Sequence, residues 1–172
     1  EYIEAFKVLW TEKAPVYDGD FVSFKNVSFE PKPLQAGGPP IWIGGEGMAA
    51  RKRTARLGEG WYPVMRNPRH MMDTPDKFAA ALADIHKFAE EAGRDPAKID
   101  TAMFAPTYKL TAEAGTADRW AFSGSAEQIA EDAFAFAKVG LNNVLIGFED
   151  SDLQRSLDII EAFATEVMPL VG

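Results

Sequence analysis

The chain has 172 residues, 47% of them hydrophobic, no cysteine and a formal net charge of -8. That length is enough for one sizeable core and predicts a single domain over 1–172, while the acidic balance argues against nucleic acid and anionic membrane surfaces as partners, which need a basic field. Without cysteine there is no disulfide framework, thiol nucleophile or thiolate metal site, which fits a reducing, cytoplasmic setting, and no apolar run approaches the roughly 18 residues of a membrane span.

From Glu1 to Trp10, Ile3, Phe6 and either Val8 or Trp10 recur near one face and predict a short helix that would pack on a sheet. The helical pattern is already running at Glu1, without an initiator Met, so a longer parent chain is expected. Residues 15–40 read differently. Tyr17-Asp18-Gly19-Asp20, the alternating pieces Phe21 to Phe24 and Val27 to Phe29, and Pro31-Lys32-Pro33 form a hairpin-like excursion, and Gln35 to Pro40 is a Gly/Pro loop. It delivers the chain to Ile41-Trp42-Ile43, a short buried strand closed by Gly44-Gly45-Glu46-Gly47. Met48 to Leu57 then reads as a helix with Ala50, Thr54 and Leu57 on one face and Gly58 as its stop.

The same rhythm repeats downstream. Gly60 to Val64 is a second strand candidate ended by Pro63, Arg66 to Asp73 a polar loop, and Thr74-Pro75-Asp76 a helix start with cap, proline and acid in order. Phe78, Ala81, Leu82, Ile85, Phe88, Ala89 and Ala92 carry that helix to Gly93. Ile99 to Leu110 holds a third strand interrupted by Pro106, and Ala112 to Trp120 an irregular loop. Ser125-Ala126-Glu127-Gln128 is a capping box leading to Gly140, Val144 to Ile146 a fourth strand, and Ser151-Asp152-Leu153-Gln154 a second capping box, whose helix runs along Leu153, Leu157, Ile160, Ala164 and Val167 until Pro169. Short apolar strands alternating with helices predict an α/β protein with a parallel sheet, either doubly wound or part of a (β/α)₈ barrel; eight barrel units need about 250 residues, so four would make half of one.

A strand, a glycine turn and a helix N-terminus together can bind an anion, because free N–H groups and the helix dipole point at the turn; a cofactor phosphate is the natural guest, and a tight connection that binds nothing is the plain alternative. Gly45-x-Gly47-x-x-Ala50 also matches a dinucleotide fingerprint, but the second strand ends Val64-Met65-Arg66 instead of in the acid that would hold a ribose, leaving an NADP-type module as the competing enzyme reading. A catalytically silent folding or interaction domain is the third, since no acid, base or nucleophile stands out. Arg51, Lys52, Arg53 and Arg56 read as a solvated helix face. His70 and His86 have no metal-type neighbour at ligand spacing, and His70 lies in the loop after the second strand, where function concentrates. Trp61 and Tyr62, near that strand's C-terminal end, are either pocket walls for a planar ligand or core aromatics.

Leu9-Trp10, Tyr17-x-Gly19-x-Phe21, Pro31-Lys32-Pro33-Leu34-Gln35, Pro39-Pro40-Ile41-Trp42-Ile43-Gly44-Gly45 and Ala55-Arg56-Leu57-Gly58-Glu59-Gly60-Trp61-Tyr62-Pro63 together resemble the luciferase-like monooxygenase family, above all its deazaflavin-dependent oxidoreductases. Gly124-Ser125-Ala126-Glu127-Gln128, then Gly140 and an apolar strand, is similar to that family's closing βα units. The resemblance covers nearly the whole chain, but only the C-terminal half of the family's pattern. It implies part of a (β/α)₈ barrel that binds FMN or a deazaflavin (coenzyme F420) at the strand C-terminal ends and acts on a small-molecule substrate. It also implies that Gly44, Gly45, Glu46 and Gly47, with Met48 beside them, contact the cofactor's phosphate or ribityl arm, and that the catalytic positions lie mostly upstream. In half a barrel the strands at Ile41 and Val144 are both unpaired edges, so a homo-oligomer, or pairing with the missing N-terminal half, is expected.

Overall fold

The computed structural model describes all residues from Glu1 to Gly172. They divide into two compact units, Glu1–Ile41 and Trp42–Gly172. In the first, helix α1 (Tyr2–Thr11) precedes a two-stranded antiparallel hairpin, β1 (Tyr17–Asp18) with β2 (Ser23–Phe24), in which Tyr17 faces Phe24. The Glu1 carboxylate accepts from the N–H groups of Phe21 and Val22 at the hairpin's turn, and the Tyr17 hydroxyl donates to Glu4. The expected second alternating piece, Val27 to Phe29, forms no strand; it has no partner segment to alternate against, and Lys32 instead covers the Phe29 ring.

The second unit is built on a four-stranded parallel sheet of β3 (Trp42–Gly44), β4 (Gly60–Tyr62), β7 (Asp100–Ala105) and β10 (Asn143–Ile146), ordered β10-β7-β4-β3. Between the second and third of these lies a small antiparallel hairpin, β5 (Arg66–Asn67) with β6 (His70–Met71), where the sequence suggests only a polar loop. Beyond Pro106 the chain pairs again, β8 (Lys109–Leu110) running parallel to β9 (Ser123–Gly124).

Helices α2 (Met48–Leu57), α3 (Pro75–Glu91) and α4 (Ala126–Lys138) each carry the chain from one of the four strands to its immediate neighbour. All three crossovers step in the same direction, and right-handed crossovers of one direction put their helices on one face. The sheet is therefore singly wound. A doubly wound sheet needs a reversal of strand order to create its dinucleotide crevice, and none exists here, which removes the NADP-module reading.

The helix-covered face carries Ile43, Trp61, Thr101 and Met103, each 7% exposed or less. Trp61 stacks on Phe78 at 5.3 Å, Phe78 meets Phe136 edge-on at 6.2 Å, and Phe136 stacks on Phe122 at 5.7 Å, so the core is an aromatic column joining the sheet to α3 and α4. The opposite face, with Trp42, Tyr62, Ala102, Asn143 and Leu145, lines a cleft of about 370 Å³. Trp42 and Leu145 are 36% and 45% exposed there. The outer strands β3 and β10 are the sheet's edges, as expected.

Two details at the end differ from the sequence pattern. Asp152, not Ser151, caps α5 (Leu153–Ala162), because its carboxylate reaches the Arg155 N–H at 3.1 Å. Pro169 does not end the helix: a π-turn over Phe163–Val167 leads into α6 (Met168–Val171), and the wider turn accommodates a residue that lacks an N–H. No helix is long and apolar enough to cross a membrane.

Candidate functional site

Strand β3 ends at Gly44, and the chain turns through Gly45 at a φ of +104°, a conformation open to glycine but costly for a side chain. A Cβ at Gly45 would also lie 3.1 Å from the Cβ of Ala50. Gly47 is the N-cap of α2 and offers no side chain to cap it. The Gly45 N–H still belongs to the sheet ladder, opposite the Tyr62 carbonyl, but the N–H groups from Glu46 to Ala49 donate to no group within the protein, while the first bonds of the helix come from Ala50 and Arg51 to the Gly47 carbonyl. A row of free N–H groups at the positive end of a helix is an anion receptor.

The turn is fixed from below. Trp61 Nε1 donates to the Gly45 carbonyl at 2.9 Å, and Arg51 Nε donates to the Glu46 carbonyl at 2.9 Å. Glu46 points inward: it is 3% exposed, and its carboxylate accepts from the Val64 N–H at 2.6 Å and from the Asn67 side-chain amide. Both oxygens therefore take hydrogen bonds from nitrogen donors, as a carboxylate does. This cross-link ties the turn to the β5–β6 hairpin, which presents His70 beside it. The His70 Nε2 lies 3.3 Å from where a Cβ on Gly47 would be.

Gly44, Gly45, Gly47, the exposed Met48 and His70 thus come together around one turn, whereas Glu46 supports that turn from inside. Trp61 is fully buried in the aromatic column and belongs to the core instead of a pocket wall. Tyr62, one residue on, points to the other side of the strand and lines the apolar cleft. The basic run is only partly a solvated face, because Arg51 is engaged by Glu46 and forms an ion pair with Asp84 at 2.7 Å.

Sequence reasoning missed Asn67, Asp84 and Arg94. The Arg94 guanidinium donates to the carbonyls of Thr54, Ala55 and Gly58, closing the C-terminal end of α2 from 36 or more residues away. No local pattern announces such a long-range contact. For Asn67, the available signal was the glycine on each side of Glu46, which leaves that side chain free to turn inward and seek a donor.

A second cleft, of about 500 Å³, lies between β8 and the last helices, lined by Tyr108, Leu110, Asp158 and Glu166 among others. The Tyr108 hydroxyl is buried without a hydrogen-bond partner. Desolvation, with a contribution from the nearby Glu166 charge, pushes its pKa up.

Residues 1–133 match the family described as luciferase-like monooxygenase. The chain is 27% identical over 99% of its length to an FMNH(2)-dependent dimethylsulfone monooxygenase of Pseudomonas fluorescens, covering 56% of that protein. It is 32% identical over 97% of its length to an uncharacterised protein of Mycobacterium tuberculosis, covering 49% of it. The chain thus spans about half the length of these relatives. Among solved structures it superposes on an F420-dependent secondary alcohol dehydrogenase with a TM-score of 0.73 at 18% identity, covering 99% of this chain and 60% of that one. Its TM-score is 0.74, at 15% identity, with the coenzyme F420-dependent tetrahydromethanopterin reductase of Methanopyrus kandleri, covering 98% of this chain and 62% of that one. At such identities these superpositions speak for the fold, and with the sequence match over most of the chain they lead to one statement: the chain belongs to the luciferase-like monooxygenase family.

Proposed function

We propose that this chain is the C-terminal portion of an oxidoreductase or monooxygenase that uses FMN or the deazaflavin coenzyme F420, and that it contributes part of the cofactor's phosphate site. The observation that carries the reading is the run of unsatisfied N–H groups from Glu46 to Ala49 at the head of α2. The FMNH(2)-dependent and F420-dependent relatives support the choice of cofactor. When bound, such a cofactor supplies hydride transfer or the activation of oxygen, and the protein positions it and excludes water. In this arrangement Gly44, Gly45 and Gly47 let the backbone approach the phosphate, Met48 flanks it, and Glu46 holds the turn in shape. His70 and Tyr62 are the side chains offered toward a small-molecule substrate. The cysteine-free composition suits a cytoplasmic setting.

The singly wound sheet is read as about half of a (β/α)₈ barrel. Its two edges, and the apolar face bearing Trp42, Tyr62 and Leu145, favour assembly with an N-terminal half or with a second copy of the chain. The test is a titration of the longest chain the gene encodes with FMN and with coenzyme F420, followed by protein fluorescence. Saturable binding of one is the expected result, and binding of neither overturns the reading.

A further inference from the structure

Glu46 stands where a phosphate-binding turn would be expected to carry no negative charge. It cannot swing away: its two carboxylate oxygens are held by the Val64 N–H and the Asn67 amide, and its residue is 3% exposed. Both of those partners are neutral. Arg51 reaches the Glu46 carbonyl, not its carboxylate, and pairs its charge with Asp84 at 2.7 Å. Arg51 and Asp84 therefore cancel, and the Glu46 carboxylate leaves a negative charge on the same turn as the free N–H groups from Glu46 to Ala49. Burial weakens the solvent screening that would hide it.

The two candidate cofactors differ in the charge they bring to this turn. FMN ends in a phosphomonoester, close to a dianion at neutral pH, whereas coenzyme F420 carries a phosphodiester with a single charge at the corresponding place. A fixed negative charge repels the dianion more strongly. We propose that Glu46 is a specificity-determining residue that disfavours a terminal phosphomonoester and selects the phosphodiester-bearing deazaflavin, an inference that rests on the cofactor reading of the glycine turn. One extra unit of charge at such a separation changes affinity by roughly tenfold.

The experiment measures dissociation constants of FMN, coenzyme F420 and riboflavin, which lacks the phosphate, for the longest chain the gene encodes and for two variants. Glu46→Gln keeps the shape and removes the charge. Asp84→Asn leaves Glu46 in place and frees the positive charge of Arg51, and because Asp84 sits at a 38% exposed side chain it tolerates the change. The wild-type protein is expected to prefer coenzyme F420. Each variant should narrow that preference about tenfold by improving FMN, with riboflavin unmoved. A ratio of FMN to F420 affinity that stays constant in both variants overturns the proposal, as does a riboflavin affinity that moves with FMN, or a wild-type preference for FMN. If Glu46→Gln does not fold, Asp84→Asn decides alone. Wild-type binding of neither cofactor overturns the underlying cofactor reading, a result distinct from all the others.

Discussion

Gly45 combines a φ of +104° with a neighbouring methyl group at Ala50, so a side chain there is penalised twice. Gly45→Ala is expected to cost about 1 to 2 kcal/mol, read as a fall of several degrees in thermal midpoint, and to abolish the cofactor titration. A midpoint equal to wild type would show that the turn relaxes freely. Tyr108 offers the opposite case. Its hydroxyl is buried without a partner, so Tyr108→Phe should be neutral or stabilising by up to about 1 kcal/mol in urea denaturation. The same hydroxyl has a raised folded-state pKa, from desolvation first and the Glu166 charge second. Its contribution is therefore fully present below the unfolded value near 10 and is lost as pH rises through the higher folded value. The alkaline decline in stability should be shallower in Tyr108→Phe, and an unchanged decline would remove Tyr108 as its source. These residue-level facts were unevenly legible. Glycines at a turn announce themselves, but the inward direction of Glu46 and the missing partner of Tyr108 depend on which distant groups arrive beside them.

Helix α2 shows how an element draws stability from outside its own sequence. Its N-terminus has no side-chain cap, and its C-terminal carbonyls are taken by the Arg94 guanidinium, a cation at the negative end of the helix dipole. Arg94→Ala is expected to lower stability by about 1 to 3 kcal/mol, and Arg94→Lys to restore little of it, since one ammonium cannot span carbonyls of three residues. Full rescue by lysine would reduce the contact to simple charge. Helix α4 depends instead on local signals: the Ser125 and Gln128 capping box forms as its spacing implies, and Asp132 adds contacts to Arg119 and to the Phe122 N–H. The helices and sheet strands were legible because caps, stops and apolar stripes are local. The β5–β6 hairpin was not, for two-residue strands leave almost no periodicity, although the turn residues around Gly19 did signal the β1–β2 hairpin; Pro169 misled because the π-turn before it lies outside any simple stop rule.

For the molecule as a whole, the parallel α/β architecture follows from alternation alone, whereas the strand order that separates singly from doubly wound sheets requires the structure. Strand β3 and strand β10 each present one unpaired backbone edge, and light scattering is expected to give a mass above the 18.9 kDa of one chain. A monodisperse species of that mass would count against assembly.

The sequential order of the four strands also bears on how the second unit comes apart. Because each strand and its helix pack mainly on the next along the chain, the free energy resembles a row of neighbour terms, as in a repeat protein, and unfolding can begin at whichever end holds least. That end is the last one: α5 has no buried residue, and Leu153 and Leu157 are 75% and 49% exposed, while β4 and β7 sit inside the row around the aromatic column. Amide hydrogens of β10 and α5 should therefore exchange with solvent well before those of β4, making the chain's terminal βα unit the part most readily melted and remade.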